Sequence, residues 1–262
     1  MNALPFSRRP FIIGMVHVGP LPSSPAGERA RLEDIVEAAL RDARALEEGG
    51  VDGVLVENFY DVPYPKVEAD PATVAAMAVI VRRVVESVSI PVGVNILRNC
   101  GVQALAVAHV CGGRFIRVNA LSETVVSDQG ILEPIAYELM RYRRFLGSSV
   151  AVLADVHVKH AAPLAERPAP LVAREAVERG GADAVIVSGV ATGSPPSPED
   201  VRLVKNAVDA PVIVGSGVNA GNVASLLSVA DGAIVGTYFK VGRRVSVDRV
   251  RKLVSLVRSL KR

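Results

Sequence analysis

Three ionisable residues alternate with apolar ones in the stretch ADVHVKHA, residues 154–161. The preceding residues SSVAVL predict a buried strand, and alternate side chains of a strand share one face. Asp155, His157 and Lys159 are therefore predicted on one face, where burial without partners costs roughly 2–7 kcal/mol for a neutral polar group and more for a charge. They either pair as a structural network or face a site that uses them as acid–base and orienting groups.

Polar residues also stand at the ends of other short apolar runs. One such residue usually caps the next helix, whereas a ring of them at one end of a barrel is typical of a small-molecule site. We predict that His17 and Glu57 join the three residues above in catalysis. Five further residues are predicted to hold substrate: Asn95, Arg98, Arg117, Asn119 and Ser188.

Lys159 has two candidate roles in this arrangement. It can pair with a neighbouring charge or form a Schiff base with a carbonyl substrate, and charge pairing is the preferred prediction because nothing in the local sequence singles the residue out. His17 and His157 suggest a metal together with Glu57 or Asp155, but their spacing fits no dedicated metal-binding motif. The sequence therefore predicts neither a metal nor another cofactor.

The elements that must position these residues are eight short β-branched runs. They are FIIGMV, GVLVEN, PVGVNI, RFIRVN, VAVLAD, DAVIVS, PVIVGS and DGAIVG, beginning near residues 11, 53, 91, 114, 150, 183, 211 and 231. Helical periodicity occupies residues 31–50, 72–88, 131–146, 198–209 and 246–261. Eight such units without a break in composition predict an α/β fold, a single (β/α)8 barrel over residues 1–262, in preference to a doubly wound open sheet.

The loops of this predicted barrel are strongly asymmetric. Loops that enter strands are terse, whereas five that leave strands are long and rich in Pro and Gly: HVGPLPSSPAGER, NFYDVPYPKVEAD, NALSETVVSDQG, KHAAPLAERPAP and SGVATGSPPSPED. Barrels carry their sites on the face built from the exit loops. Asp155, His157 and Lys159 are accordingly predicted to face the barrel axis and its mouth.

Two glycine-rich stretches, GSGVNAGN and GTYFKVG, follow the seventh and eighth predicted strands. In many barrels the loops at these two places hold phosphate, together with the N-terminus of a following helix. A helix starting near Asn219 is predicted to contribute its positive end. The predicted phosphate-binding residues are Gly215, Ser216, Gly217, Gly236 and Thr237. The alternative is that the glycines only form tight turns.

The composition is that of a globular protein, with 50% apolar and 22% charged residues. A net charge of +3, with both signs mixed along the chain, argues against a nucleic-acid partner. No apolar run approaches the ~20 residues of a membrane span, and the N-terminal apolar stretch is too short for a signal peptide. We therefore expect a cytoplasmic protein without stable membrane insertion.

The cysteines, the residue usage and the mean hydropathy support three further expectations. Cys100 and Cys111 lie about 16 Å apart along one predicted helix, beyond disulfide reach, so reduced thiols are expected. The absence of Trp and the presence of only two Gln residues are compatible with a thermophilic source. A mean hydropathy of +0.32 leaves room for an apolar interface, and we expect a homo-oligomer, most simply a dimer.

The chain resembles the BtpA family, which also includes the sugar-cluster protein SgcQ. The matching stretches span nearly the whole chain in order: GMVHVGPLPSSP, VENFYDVPY, VNILRN, FIRVNALSETVVSDQG, ADVHVKHA, ADAVIVSGVATG, VIVGSGVNAGN and DGAIVGTYFK. The sequence departs from the family pattern after YFK, where VGRRVSVDR replaces the Gly-rich, aromatic-containing sequence expected there.

The resemblance implies a barrel like those that bind ribulose phosphate, and hence a phosphorylated small-molecule ligand. It also implies an alternative, because the cyanobacterial namesake is associated with photosystem I biogenesis: a non-catalytic biogenesis or stability factor that uses the barrel as a binding scaffold. The preferred prediction is an isomerase or lyase that acts on a phosphorylated sugar or nucleoside-like metabolite by proton transfer. Phosphoribosylanthranilate isomerase activity is disfavoured, because that enzyme uses a Cys base near its first strand, where GMVHVG offers His17.

Overall fold

A computed structural model of the protein describes residues 4–189 and 191–260. Eight parallel strands close into a barrel in chain order: β1 Phe11–His17, β2 Gly53–Glu57, β3 Val92–Asn95, β4 Phe115–Val118, β5 Ala151–Val156, β6 Ala184–Val187, β7 Val212–Val214 and β8 Gly232–Val235. The (β/α)8 prediction is confirmed, and the open-sheet alternative is wrong because β1 pairs with β8. Each strand begins within one residue of its predicted start.

The principal helices are α1 Leu32–Glu48, α2 Pro71–Ser87, α3 Gly101–Cys111, α4 Ala136–Phe145, α5 Ala169–Glu178, α6 Pro198–Lys205, α7 Val223–Leu227 and α8 Val247–Arg258. The helix predicted from residue 131 begins later because Pro134 disfavours helical backbone at the residue before it. The helix predicted over 198–209 ends at Lys205, and residue 261, the predicted end of the last helix, lies outside the described residues. None of the helices in the described part of the chain is long and apolar enough to cross a membrane.

The interior of the barrel is filled by apolar side chains from alternate strand positions, which belong to a cluster of eleven buried residues: Phe11, Ile13, Met15, Leu55, Phe115, Ala151, Leu153, Ala184, Ile186, Ile213 and Ile234. Phe6 adds a ring at the end where the strands begin, stacked on Phe11 with 4.3 Å between ring centroids. A second, larger cluster joins the strands to the helices. The interior of the barrel is therefore a packed core, and the two cavities at its mouth lie beyond this layer.

The long exit loops after β4 and β5 carry strands that the sequence did not predict. Val125–Ser127 pairs antiparallel with both Gly130–Leu132 and Ala161–Pro163. This three-stranded unit, termed the exit-loop sheet, joins the loop after β4 to the loop that contains Lys159. It thereby fixes the chain on either side of one edge of the mouth.

Strand register aligns the first three polar strand ends. His17 pairs with Glu57 in register, and Glu57 pairs with Asn95. Since parallel strands of a barrel end at the same rim, the three side chains form one row at the mouth.

Candidate functional site

The mouth of the barrel contains two adjoining cavities, of about 240 and about 610 Å³. The smaller, termed the glycine lobe, has a lining that includes His17, Gly215, Ser216, Gly217, Val218, Gly236 and Thr237. The larger, termed the arginine lobe, has a lining that includes Tyr64, Leu97, Arg98, Asn119, Asp128 and His160. Five residues border both lobes: Glu57, Phe59, Arg117, Lys159 and Thr192.

Asp155 lies beneath the mouth and is held by two neighbours. Its carboxylate accepts hydrogen bonds from Arg117 Nε at 3.0 Å and Arg117 Nη2 at 2.8 Å, and from Asn119 Nδ2 at 2.6 Å. Its side chain has no exposed surface. Burial acts to lower the pKa of Arg117, but the charge and hydrogen bonds of Asp155 outweigh it and raise that pKa. Asp155 faces the interior as predicted, and in this geometry it positions Arg117, which reaches the cavity.

His157 does not face the mouth, so the alternation predicted for it is wrong. The last residue of β5 is Val156, and His157 adopts left-handed backbone with φ of 51°. Its N–H donates to Glu123 Oε2 at 3.2 Å, and its Nε2 lies 3.4 Å from Glu123 Oε1. His157 is absent from the lining of both lobes. It anchors the turn after β5 to the loop after β4.

Lys159 reaches both lobes from the same turn. Its carbonyl oxygen accepts a hydrogen bond from Arg98 Nη2. Burial, followed by the charge of Arg117, lowers the pKa of Lys159 to about 8. Among the described residues no carboxylate lies within ion-pair distance of its ammonium group, so the charge-pairing role preferred from the sequence is not observed.

His17 and Glu57 form the opposite wall. The His17 ring stacks on Phe59 with 4.2 Å between centroids, and its Nε2 lies 4.0 Å from Glu57 Oε1. Glu57 Oε2 accepts a hydrogen bond of 2.6 Å from Asn95 Nδ2, so Asn95 orients the carboxylate instead of lining either lobe. Burial first, and then the charges of three cationic residues, lower the pKa of His17 well below 6.5. The His17 imidazole is therefore neutral at neutral pH, and the adjacent Glu57 carboxylate is the proton acceptor of this wall.

The residues predicted to hold substrate divide into three groups. Arg98, Arg117 and Asn119 line the arginine lobe, where Arg98 Nε and Asn119 Oδ1 have no hydrogen-bond partner among the described residues. Asn95 acts through Glu57. Ser188 lines neither lobe, and its buried hydroxyl is close to the turn after β7. Burial lowers the pKa of Arg98, although nearby carboxylates oppose that effect.

All five residues predicted for phosphate line the glycine lobe, but two of them have other tasks. The Ser216 hydroxyl donates to Ser194 O at 2.7 Å and accepts from Gly189 N–H at 3.1 Å, which ties the loop after β6 to the turn after β7. The N–H of Gly215 donates to a carbonyl of β6. The hydroxyl of Ser216, predicted as a phosphate-binding residue, is therefore already occupied by protein partners.

At these turns the backbone N–H groups of Gly217, Val218, Gly236 and Thr237 have no acceptor among the described residues. Gly217 has φ of +71°, and a Cβ there would lie 2.2 Å from Pro195 N. Only glycine allows this turn to pass so close to the loop after β6. The result is a concave surface that carries unpaired donors, the arrangement that recognises an anion.

The helix dipole predicted for this site contributes little positive charge to the turn after β7. The helix begins at Val223 instead of near Asn219 and has only five residues. The intervening turn is closed by side chains, since Asn222 Oδ1 accepts from Asn219 N–H at 2.8 Å and Asn222 Nδ2 donates to Gly217 O at 2.9 Å. The unpaired donors at this place are therefore backbone N–H groups of the turns and not those of a helix terminus.

Several residues that line the lobes lie in long loops, and no role was predicted for them from the sequence. Phe59, Tyr64, Asp128 and Thr192 are examples. Thr192 N–H donates to His160 Nε2 at 3.2 Å, which bridges the loops after β5 and β6 across the mouth. Only the stretch NFYDVPYP carried a signal, because aromatic residues after a strand end are unusual in a solvated loop. Among the described residues no group of three or more His, Cys, Asp or Glu side chains is arranged to hold a metal ion.

The closed barrel and its polar mouth define the class: a (β/α)8 protein with a cavity at the exit-loop face. The chain belongs to the BtpA family, whose sequence profile matches residues 8–259. The family resemblance inferred from the sequence is confirmed.

Relatives extend over most of the chain. The photosystem I biogenesis protein BtpA of Synechocystis is 49% identical over 230 residues, 87% of this chain and 80% of that protein. A Thermococcus kodakarensis relative is 48% identical over 260 residues, 98% of each chain. The structure of N-(5'-phosphoribosyl)anthranilate isomerase from Pyrococcus furiosus matches with a TM-score of 0.60 at 16% identity, covering 96% of this chain and 100% of that one. At that identity the match establishes the shared fold alone.

Proposed function

We propose that the protein is an enzyme that binds a phosphorylated sugar or nucleoside-like metabolite in the mouth of the barrel. The glycine lobe binds the phosphate, and the groups shared with the arginine lobe act on the rest of the molecule by proton transfer, as an isomerase or lyase. The observation that carries the proposal is the lining that the two lobes share: Glu57 and Lys159 border both lobes, and the glycine lobe also contains His17 and the residues with unpaired N–H donors.

The chemistry of the shared wall supports proton transfer. Lys159, with a pKa lowered to about 8, exists in both protonation states near neutral pH. The neutral imidazole of His17 lies beside the carboxylate of Glu57. Donors and acceptors are thus both present, which is the requirement for general acid–base catalysis.

The arginine lobe supports a polyol or nucleoside-like body for the substrate. It presents donors from Arg98 and Arg117 beside acceptors from Glu57 and Asp128. A sugar hydroxyl donates and accepts at once, so a lining of mixed polarity suits it better than a purely cationic one.

The names of similar proteins agree with a phosphorylated ligand but suggest different roles. The P. furiosus structure is named for a phosphoribosyl compound. We do not extend that activity to this chain, because His17 stands where a Cys base is expected, and both cysteines are absent from the lining of the two lobes.

The name of the Synechocystis relative supports a second candidate, a non-catalytic biogenesis or stability factor that uses the barrel as a binding scaffold. The two candidates differ in one observable. An enzyme of the first kind binds phosphorylated metabolites at the mouth, whereas the scaffold gains no stability from them. Thermal unfolding of the purified protein against phosphorylated sugars and their unphosphorylated counterparts distinguishes them. A ligand at a hundred times its Kd stabilises by about 2.7 kcal/mol.

Gly236→Ala is expected to weaken binding of phosphorylated sugars at least ~10-fold while leaving the fold intact. The added Cβ enters the glycine lobe 3.2 Å from His17 Cε1 and 3.3 Å from Met15 Cγ, contacts that small side-chain shifts relieve. Calorimetric titration with ribose 5-phosphate and with ribose measures the effect. A matched control is Gly19→Ala, whose Cβ meets only Ile35 at 3.9 Å outside both lobes. Gly217→Val is unsuitable, because it displaces the loop after β6. Unchanged affinity of Gly236→Ala for ribose 5-phosphate contradicts the phosphate site.

A further inference from the structure

The backbone around Lys159, in the turn after β5, is held by hydrogen bonds to three other loops. We propose that the Nζ of Lys159 forms a Schiff base with the carbonyl carbon of a phosphorylated aldehyde or ketone whose phosphate occupies the glycine lobe. This inference rests on the proposed function and deepens it, since it names the reactive group of the substrate and the nucleophile.

Three anchors fix the backbone around Lys159. Its carbonyl oxygen accepts from Arg98. The N–H of His157 donates to Glu123, and the ring of His160 accepts from Thr192 N–H. His157 and His160 are the two non-glycine residues with left-handed φ in the described chain, at 51° and 57°. Left-handed backbone at non-glycine residues costs about 1–3 kcal/mol each and persists where the surroundings enforce it. The surrounding contacts therefore fix the backbone on both sides of Lys159.

The position of Lys159 suits attack on a bound substrate. It is the one amine among the residues that border both lobes in the described structure. A phosphate held by the turns after β7 and β8 directs the carbon chain towards it. No carboxylate of the described residues pairs with its ammonium group, so deprotonation breaks no ion pair.

The reaction balances with the groups present. The lone pair of Nζ forms a C–N bond to the carbonyl carbon, and one of the two amine protons passes to the carbonyl oxygen, giving a neutral carbinolamine. The nitrogen then forms the C=N bond as the C–O bond breaks, and its second proton passes to the departing hydroxyl, which leaves as water. The product is an imine plus one water, with no oxidant or reductant. The carboxylate of Glu57 on the facing wall can accept each proton from nitrogen and return it to oxygen.

Lys240 is an internal comparison for this proposal. Burial lowers its pKa to about 8, as it does for Lys159. Its ammonium group is enclosed by protein and is absent from the lining of both lobes. If basicity alone governed reactivity, both lysines would react; if access to the glycine lobe governs it, only Lys159 reacts.

Reductive trapping tests the proposal. The full-length protein is incubated with D-glyceraldehyde 3-phosphate and sodium cyanoborohydride, and the adduct is mapped by peptide mass spectrometry over the six lysines of the chain. We expect the adduct at Lys159, suppression by excess inorganic phosphate, and at least ~10-fold slower labelling by unphosphorylated glyceraldehyde. Labelling should rise with pH around a midpoint near 8, because only the neutral amine attacks. Equal labelling of the exposed Lys252, or none at Lys159, overturns the proposal.

Two variants separate chemistry from folding. Lys159→Arg keeps a cation and should lose the adduct while retaining stabilisation by ribose 5-phosphate. Lys252→Arg, a matched exchange at an exposed position of α8, should keep both. Stabilisation by ribose 5-phosphate without an adduct overturns the Schiff base and leaves the proposed function standing. Absence of both overturns the two proposals together.

Discussion

Asp155→Ala is expected to lower the free energy of unfolding by about 3–5 kcal/mol, because it leaves the charge of Arg117 buried without its partner. The Arg117 side chain is 2% exposed and that of Asp155 is not exposed at all. The substitution also removes the acceptor of Asn119. Asp155 is predicted from the sequence as a catalytic residue, and its buried bidentate contact with Arg117 gives its loss a structural cost as well. Chemical denaturation at pH 7 measures it.

Two further variants isolate the cause. Asp155→Ala combined with Arg117→Met removes the stranded charge and should recover more than half of the lost stability, since apolar replacements of buried ion pairs are often close to neutral. Asp209→Ala, at an exposed position, should change stability by less than ~0.5 kcal/mol. A loss below ~1 kcal/mol for Asp155→Ala contradicts the role given to this pair.

Lys240→Met is expected to stabilise the protein at pH 7, by up to roughly 3 kcal/mol. The residue is 8% exposed, and its Nζ has no hydrogen-bond partner among the described residues. Burial lowers its pKa from 10.5 to about 8, against the opposing effects of Asp42 and Glu57. The unfolded chain therefore binds the proton more tightly than the folded protein, so the lysine penalises folding fully below about pH 8.

The pH dependence of the stabilisation by Lys240→Met distinguishes removal of a buried charge from a gain in apolar contact. As the pH rises from about 8 towards 10.5, the penalty disappears and the advantage of Lys240→Met should shrink to the packing contribution alone. Loss of the Lys240 charge also raises the pKa of His17, which that charge lowers. Urea unfolding at pH 7 and pH 10 measures the difference, with Lys252→Met as the exposed control. An advantage that is equal at both pH values contradicts the assignment.

The barrel was predictable because its strands carry the strongest local signal. Short β-branched runs between glycine and proline residues marked the start of every barrel strand to within one residue, and the terse entry loops indicated which end carries the site. The position of His17, Glu57 and Asn95 in one row follows from the predicted strands alone, because strand ends in a barrel share a rim. The cluster of predicted phosphate residues in one cavity follows in the same way.

The predictions for individual side chains were wrong where the backbone conformation departs from the periodicity of its element. Alternation predicts a shared face only while the strand continues, and β5 stops at Val156, one residue before His157. The left-handed turn that follows returns Lys159 to the mouth and turns His157 towards Glu123. A hydrophobic pattern determines neither where a strand ends nor whether a histidine adopts a φ above zero.

Partners from distant loops were also beyond the reach of the sequence. The Ser216 hydroxyl is occupied because Ser194 and Gly189, more than twenty residues away, approach it in the folded chain. The bridge between His160 and Thr192 spans 32 positions. Such contacts depend on how two exit loops meet, which composition and spacing do not determine.

The most direct test of the central claim is a crystal structure of the protein with ribose 5-phosphate. We expect electron density for the phosphate in the glycine lobe, with its oxygens about 3 Å from the N–H groups of Gly217, Val218, Gly236 and Thr237. We also expect the sugar carbons to extend towards Lys159 between the two lobes. Phosphate bound elsewhere on the chain, or an empty glycine lobe at saturating ligand, would contradict the claim.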